Sequence, residues 1–314
     1  MKRVLITGGA GFIGSHLAER LLKAGNEVVV LDNLMRGNKL PKEIMKDIKF
    51  LQGDVRKMKD VRKAAEGCDQ IYHFAAVLGV DIVADSPVET MDTEFLGMKN
   101  VADFSLANNV EKIIYSSTSG IYGHSAIEKS FTESISVDPR TSYAVAKRFN
   151  EIYLKALHEE KGLQSVSIRL FNVYGPRQDT RMVIPRFIAQ AHKGEPLTVY
   201  GKGIQTRDFT YIDDTIDAIT KLAQKVNGCE VFNISNEEEV RIRDLATEIL
   251  KLTGSRSVIE YAQVPKKRYD YEVERRVGNS EKLFKTTGYK PVTRLKEGLK
   301  KLLSREGKLH LKKK

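Results

Sequence analysis

The chain has little that could cross-link it, hold a metal or carry it through a membrane. Its 314 residues include two cysteines, Cys68 and Cys229, which lie far apart and at no metal-ligand spacing. That scarcity excludes a disulfide scaffold. It points to a reducing compartment, the cytoplasm, where both thiols serve as small buried hydrophobes. No window approaches the roughly 18 consecutive apolar residues of a membrane-spanning helix, so no membrane partner is expected. The start Met1-Lys2-Arg3 is basic, but glycines break the apolar run behind it and no signal-peptide cleavage pattern follows. Internal repeats are missing too, and no metal site is expected.

A broad excess of one charge is also lacking. The formal net charge is +11, yet residues 285–314 hold eleven Lys or Arg against Glu297 and Glu306, which places +9 of it in the last thirty residues. The remainder is nearly balanced, which speaks against a nucleic-acid partner. The basic end, closing on Lys312-Lys313-Lys314, reads as a solvated terminus. A chain of this length, with 41% hydrophobic and 30% charged residues, can bury a large core as one domain or two coupled lobes.

What is present is organised around Thr7-Gly8-Gly9-Ala10-Gly11-Phe12-Ile13-Gly14. Val4 to Ile6 reads as a buried strand, and helical periodicity starts at Ser15. A glycine turn between strand and helix is half of a dinucleotide-binding βαβ unit. Gly8 permits the tight turn, Gly11 lets backbone approach a pyrophosphate, and Gly14 lets helix pack close to strand. The pyrophosphate would sit at the helix start, near Phe12 and Ile13, where unpaired N–H groups favour an anion. A second strand, Glu27 to Leu31, ends on Asp32, at the spacing expected for a ribose-binding carboxylate. These features predict a nicotinamide dinucleotide as cofactor.

Further strands are expected over Ile48–Gln52, Asp69–Phe74, Lys112–Ser117 and Ser165–Phe171, with helices over Thr93–Asn108 and Tyr143–Glu160. Phe95, Val101, Phe104 and Leu106 are the candidate core residues of the first of these helices. Asp54 and Val55 follow a strand end, where they could hold an adenine or simply cap a helix. Ala75 and Ala76 follow another, small enough for a cofactor to lie against the backbone. The alternation implies an α/β fold, a Rossmann-type doubly wound parallel sheet over residues 1–170, with ligands at the C-terminal strand edge. Past residue 171 shorter elements suggest a smaller C-terminal α/β substrate-binding lobe to residue 314. Within it Val231–Ser235 is expected to return to the main sheet, and Arg241–Thr253 and Leu295–Leu303 to be helical.

Ser142-Tyr143-Ala144-Val145-Ala146-Lys147 carries chemistry. Tyr143 and Lys147, one helical turn apart, share a face. An ammonium beside a phenol, together with a positive nicotinamide, favours phenolate and makes Tyr143 a usable base. Thr118, in the hydroxyl run closing the fifth strand, could hydrogen-bond the same substrate oxygen.

With these motifs in place, the chain resembles the extended short-chain dehydrogenases, the NAD-dependent epimerase/dehydratases that act on nucleotide sugars. The resemblance rests on the glycine turn, Asp32-Asn33-Leu34, Gly53-Asp54-Val55-Arg56, His73-Phe74-Ala75-Ala76, Tyr122-Gly123 and Tyr143 to Lys147. It continues through Arg169 to Arg177, and Gln205-Thr206-Arg207-Asp208-Phe209 with Asp213-Asp214. It implies that Asp32 and Asn33 lie at the adenosine ribose, Asp54 and Val55 at adenine, and Ala75 and Ala76 along the pyrophosphate and nicotinamide. Lys147 would also hold the nicotinamide ribose. Thr118, Ser119 and Tyr143 would meet the sugar, with Asn172, Arg207 and Arg268 at the substrate diphosphate. A homodimer pairing through the two long helices is implied as well.

Family dehydratases resemble Thr-Asp-Glu at 118–120 and decarboxylases Thr-Ser-Glu, whereas this chain reads Thr118-Ser119-Gly120. Glycine supplies no acid or base, and small residues here look like the 4-epimerases. The expectation is therefore a UDP-hexose 4-epimerase, acting on UDP-glucose and UDP-galactose or the N-acetyl sugars. Alternatives are a decarboxylase or dehydratase on the same scaffold, or a non-catalytic NAD-binding module. One departure stands out: Glu94 occupies a place where the family usually has Asn, and Met98 stands for Thr.

Overall fold

A computed structural model describes residues 1–77, 80–124, 130–265 and 273–307. The first part alternates strand and helix: β1 (Arg3–Thr7), α1 (Phe12–Lys23), β2 (Glu27–Asp32), β3 (Ile48–Gln52), α2 (Met58–Ala65) and β4 (Gln70–His73). It continues with α3 (Val80–Asp85), α4 (Pro87–Ala107), β5 (Lys112–Thr118), α5 (Ser142–Lys161) and β6 (Ser165–Leu170). Then come β7 (Asn172–Tyr174), α6 (Val183–Lys193), β8 (Leu197–Tyr200), β9 (Thr206–Tyr211), α7 (Ile212–Lys225) and β10 (Cys229–Ile234). The last elements are β11 (Glu239–Arg241), α8 (Ile242–Thr253), β12 (Ile259–Ala262), β13 (Arg275–Arg276), α9 (Glu281–Thr287) and α10 (Leu295–Arg305).

Seven strands form one sheet in the order β10-β6-β5-β4-β1-β2-β3, every neighbouring pair parallel. Strand order reverses between β1 and β4, and that reversal opens a crevice at the C-terminal edge, the usual ligand position in such sheets. The period-2 alternation of each strand divides the core between two faces. Val4, Ile6, Val28 and Val30 face one side, with residues of α1, α6, α7 and α8. Leu5, Val29, Leu31, Ile71, Ile113 and Tyr115 face the other, with α2, α4 and α5. Strands covered on both faces must be apolar throughout, which is why β2 reads as a near-continuous Val run.

Several boundaries moved. The helix expected from Thr93 begins at Pro87, because proline at the first helical position arrives with its φ already set. In that helix Val101 and Phe104 are core, but Phe95 is only half-buried and packs edge-on to Phe149 at 4.7 Å. Leu106 is likewise half-buried at the core's margin. α5 is capped at both ends: Thr141 Oγ1 accepts from the Ala144 N–H at 3.1 Å, and Gly162 closes it in the left-handed region at φ 73°. The cap fixes Tyr143 in the first turn and Lys147 one turn later. The strand expected over Val231–Ser235 runs Cys229–Ile234 and pairs with β6 at the sheet edge. A second, smaller sheet of β11, β9 and β13, with β7 beside β9, stands over the crevice. Cys68 is buried and Cys229 half-buried, both free thiols. No helix among the described residues is long and apolar enough to cross a membrane.

Candidate active site

A cavity of about 370 Å³ fills the crevice between the C-terminal ends of the main sheet and the second lobe. Its floor is the glycine turn. A Cβ on Gly8 would fall 2.7 Å from the Phe74 carbonyl and the Ala75 nitrogen, and one on Gly14 would fall 2.3 Å from the Gly8 carbonyl oxygen. Backbone packs against backbone at both places. At Gly11 a Cβ would meet only the Gly8 oxygen, at 3.1 Å, and otherwise face the cavity. No side chain caps α1 and no acid occupies its first turn, so the N–H groups at Phe12, Ile13 and Gly14 are left for an anion. This cradle fits a dinucleotide pyrophosphate.

The predicted cofactor residues converge here. Gly8, Gly11, Phe12, Ile13, Gly14, Asp32, Asn33, Asp54, Val55, Ala75 and Ala76 all line the cavity. Asp32 is pinned by two N–H donors, Ala10 at 3.0 Å and Leu34 at 2.8 Å, while burial pushes its carboxyl upward. Asp54 does not cap α2, whose N-cap is Lys57 with no side-chain hydrogen bond. The Asp54 carboxylate turns the chain by accepting from the Arg56 N–H at 2.9 Å, and the residue also borders the cavity. The Arg56 guanidinium, 2.6 Å away, holds that carboxyl low.

At the far end lie Thr118, Ser119, Tyr143 and Asn172. Thr118 Oγ1 accepts from the Gly120 N–H at 3.0 Å, which fixes its rotamer and leaves its own proton to donate. Asn172 Nδ2 donates to the Asp208 carbonyl at 3.1 Å.

Three expectations need revision. Lys147 is wholly buried and does not line the cavity. Its Nζ donates to the Ser116 carbonyl at 2.7 Å and pairs with Glu94 Oε2 at 3.1 Å. Against the lowering expected from the Lys147 charge, the Tyr143 phenol is raised. Burial, and then the Glu94 charge, push it well up. Arg207 lies beside the cavity wall without lining it, and its guanidinium donates to the carbonyls of Thr206 at 2.8 Å and Val273 at 2.6 Å. Arg276, its register partner on β13, does line the cavity. Arg268, Leu78 and Gly79 of the apolar stretch Val77-Leu78-Gly79-Val80, and Lys312 to Lys314 lie outside the described residues.

Sequence reasoning missed Phe74, Gln178, Arg181, Met182 and Arg276, which also border the cavity. Only Arg276 carried a signal, a basic pair in an otherwise acidic stretch, and only its strand pairing gives it meaning. Among the described residues no cluster of His, Cys, Asp and Glu could hold a metal.

Fold and site together define a dinucleotide-binding α/β enzyme of the Rossmann type. The NAD dependent epimerase/dehydratase family model matches residues 4–235, and the chain belongs to that family. The UDP-N-acetyl-alpha-D-glucosaminuronate decarboxylase of Bacillus cytotoxicus is 36% identical, over 96% of this chain and 97% of its own. The UDP-glucose 4-epimerase of Thermus thermophilus, solved with NAD, superposes with a TM-score of 0.88 at 31% identity, covering 96% and 98% of the two chains. That of Thermotoga maritima, solved with UDP-glucose, gives 0.90 at 30%, covering 98% and 99%. NAD is the cofactor of the family.

Proposed function

We propose that the chain is a UDP-hexose 4-epimerase, interconverting UDP-glucose and UDP-galactose or their N-acetyl counterparts through a 4-keto sugar. The observation that carries this reading is the composition of the sugar end of the cavity. Thr118, Ser119 and Tyr143 supply hydroxyls there, and Gly120 supplies nothing. The described acids that line the cavity are Asp32, Asp54 and Asp179. Asp32, at the end of β2, stands three strands from Thr118, roughly 14 Å by strand spacing. Asp179 is tied to the Arg181 guanidinium at 2.6 Å. Eliminating water needs an acid at the sugar, and none of these serves.

When bound, NAD supplies the hydride acceptor at C4 of the sugar and returns the hydride. The chain supplies the rest. Tyr143 takes the proton of the 4-hydroxyl and later gives it back, and the Thr118 hydroxyl donates to the same oxygen. Lys147 contributes positive charge from beneath. Asn172 and Arg276 hold the diphosphate while the sugar turns, and a guanidinium suits that anion. The exposed apolar residues of α4 and α5, Leu96, Phe149 and Ile152, support a homodimer joined through these helices.

A second reading, decarboxylation of a UDP-uronate, is favoured by the Bacillus cytotoxicus relative. Oxidation at C4 makes such a substrate a β-keto acid, which loses CO₂ without an added acid. Incubation with NAD and a panel of UDP-sugars separates the two by mass spectrometry. Epimerisation conserves mass and yields UDP-galactose from UDP-glucose. Loss of CO₂ from a UDP-uronate, with UDP-glucose and its N-acetyl form untouched, refutes the epimerase. In either case Tyr143→Phe should lose roughly 10²–10⁴-fold in kcat, the usual share of a general base.

A further inference from the structure

Behind the sugar end lies a fully enclosed polar cluster of which the proposed chemistry uses only Lys147. Glu94 on α4 and Lys147 on α5 are both 0% exposed and meet at 3.1 Å. The Tyr115 hydroxyl donates to the same Glu94 oxygen at 3.3 Å. Asn150 donates to the Glu94 carbonyl at 3.1 Å and to the Tyr115 hydroxyl at 2.9 Å. Glu94 Oε1, Asn150 Oδ1 and His73 Nε2 are buried without a hydrogen-bond partner. A carboxylate so deep is costly unless paired, and among the described residues the cation paired with it is the lysine of the proposed acid–base pair. Lys147 Nζ spends its donors on Glu94, the Ser116 carbonyl at 2.7 Å and, weakly, Ser116 Oγ at 3.5 Å. It lies 5.4 Å from the Tyr143 ring centre.

We propose that Glu94 is a positioning residue: its carboxylate draws the Lys147 ammonium inward and sets how much of that charge reaches the Tyr143 hydroxyl. The inference rests on Tyr143 and Lys147 forming the acid–base pair of the preceding section.

The physical reason is charge balance. With an amide at position 94, an ammonium beside a phenolate is a neutral pair. Burial pushes the Glu94 carboxyl up, and the Lys147 ammonium and Tyr115 hydroxyl pull it back down. Once Glu94 is ionised, the ammonium is already neutralised, and a phenolate at Tyr143 would be a second anion around one cation. Phenol is then favoured until another positive charge, such as an oxidised nicotinamide, comes close. Burial pulls the Lys147 ammonium down, and the Glu94 carboxylate opposes that pull.

The other ionisable groups around the pair do not substitute for Glu94. On β4, His73 is neutral, held at about 3 by burial and by the Lys147 charge. On β5, burial and Glu94 keep the Tyr115 phenol protonated. On α5, Glu151 is answered by Arg169 of β6 at 2.8 Å and by Arg148 at 2.9 Å. Glu94 is the carboxylate left to Lys147.

The test is an ultraviolet titration of phenolate in the NAD-loaded protein, taking each chain minus its Tyr143→Phe counterpart as the Tyr143 signal. Glu94→Gln and Glu94→Asn remove the charge. In both, the Tyr143 midpoint should fall by about one pH unit or more, a tenfold change in proton affinity. The acid limb of kcat/KM should move with it, so each variant outpaces the parent at low pH. Glu94→Asp keeps the charge and should keep the midpoint high. An unchanged or raised midpoint in Glu94→Gln and Glu94→Asn overturns the inference. So does an equal fall in Glu94→Asp, which would make the effect one of packing. If Tyr143→Phe keeps full activity, the acid–base reading fails instead, and the titration still reports on Glu94.

Discussion

Gly14→Ala and Gly11→Ala should separate two demands that one glycine turn meets. Gly14 lies in the first turn of α1, and its added methyl would sit 2.3 Å from the Gly8 oxygen and 2.7 Å from the Gly9 Cα. Neither backbone atom can rotate away, so the helix itself must slide off the sheet. Overpacking of this kind costs about 1–3 kcal/mol, and immovable neighbours put it near the upper figure. Alanine recovers about 1 kcal/mol over glycine inside a helix. The net loss is about 2 kcal/mol, enough to lower Tm by about 4 °C in a large domain. At Gly11 the methyl meets only the Gly8 oxygen at 3.1 Å, and the φ of −77° suits any residue. Stability should there stay within about 0.5 kcal/mol of the parent, as at a surface site. The methyl nevertheless enters the cavity that Gly11 lines, and if the pyrophosphate approaches the backbone there, NAD binding should weaken at least tenfold, about 1.4 kcal/mol. Thermal melts without cofactor and NAD titrations by calorimetry read the two effects. A Gly14→Ala protein that melts with the parent, or a Gly11→Ala protein that binds NAD as tightly, refutes the division of labour.

Further expectations follow from single contacts. Asp208 accepts three backbone N–H groups, from Asn236 and Glu237 at 2.9 Å and Gly278 at 3.2 Å. Asp208→Asn offers one acceptor oxygen in place of two and should cost about 2 kcal/mol in a denaturant melt, whereas no loss would mean that the loop closes without it. His16, bonded to the Pro176 carbonyl at 2.9 Å, is pulled by burial from 6.5 to about 4. Its folded value lies below its unfolded one, so its stabilisation is complete above pH 6.5 and is lost as pH falls toward 4. In His16→Gln, Tm should therefore fall less steeply across that window, and equal slopes would count against the assignment. Phe149 is 48% exposed beside Ile152 at 53%. Phe149→Glu should give a monomer in analytical ultracentrifugation while the parent sediments as a dimer, and a parent that is monomeric removes the α4–α5 pairing.

Much of this molecule was legible from residue order alone. The glycine turn, the run of strands and the i, i+4 pair Tyr143 and Lys147 are local patterns. A three-residue glycine spacing between strand and helix has few solutions, and a period of 3.6 brings a helical pair to one face wherever the helix sits. These local rules also placed every predicted cofactor residue from Gly8 to Ala76 on one cavity, because parallel strands deliver their C-terminal ends to a common edge.

Tertiary structure alone decided the partners of those residues. Sharing a helical face with Tyr143 does not say where the Lys147 ammonium points, and it points to Glu94, 53 positions earlier on another helix. Nor does sequence spacing say which arginine of a pair of strands faces the cavity. Arg207 turns to the carbonyls of Thr206 and Val273, whereas Arg276 lines the cavity. Glu94 was visible in the chain only as an unexpected acid. Burial made it costly, the Lys147 ammonium gave it a partner, and both facts come from the packing of α4 against α5.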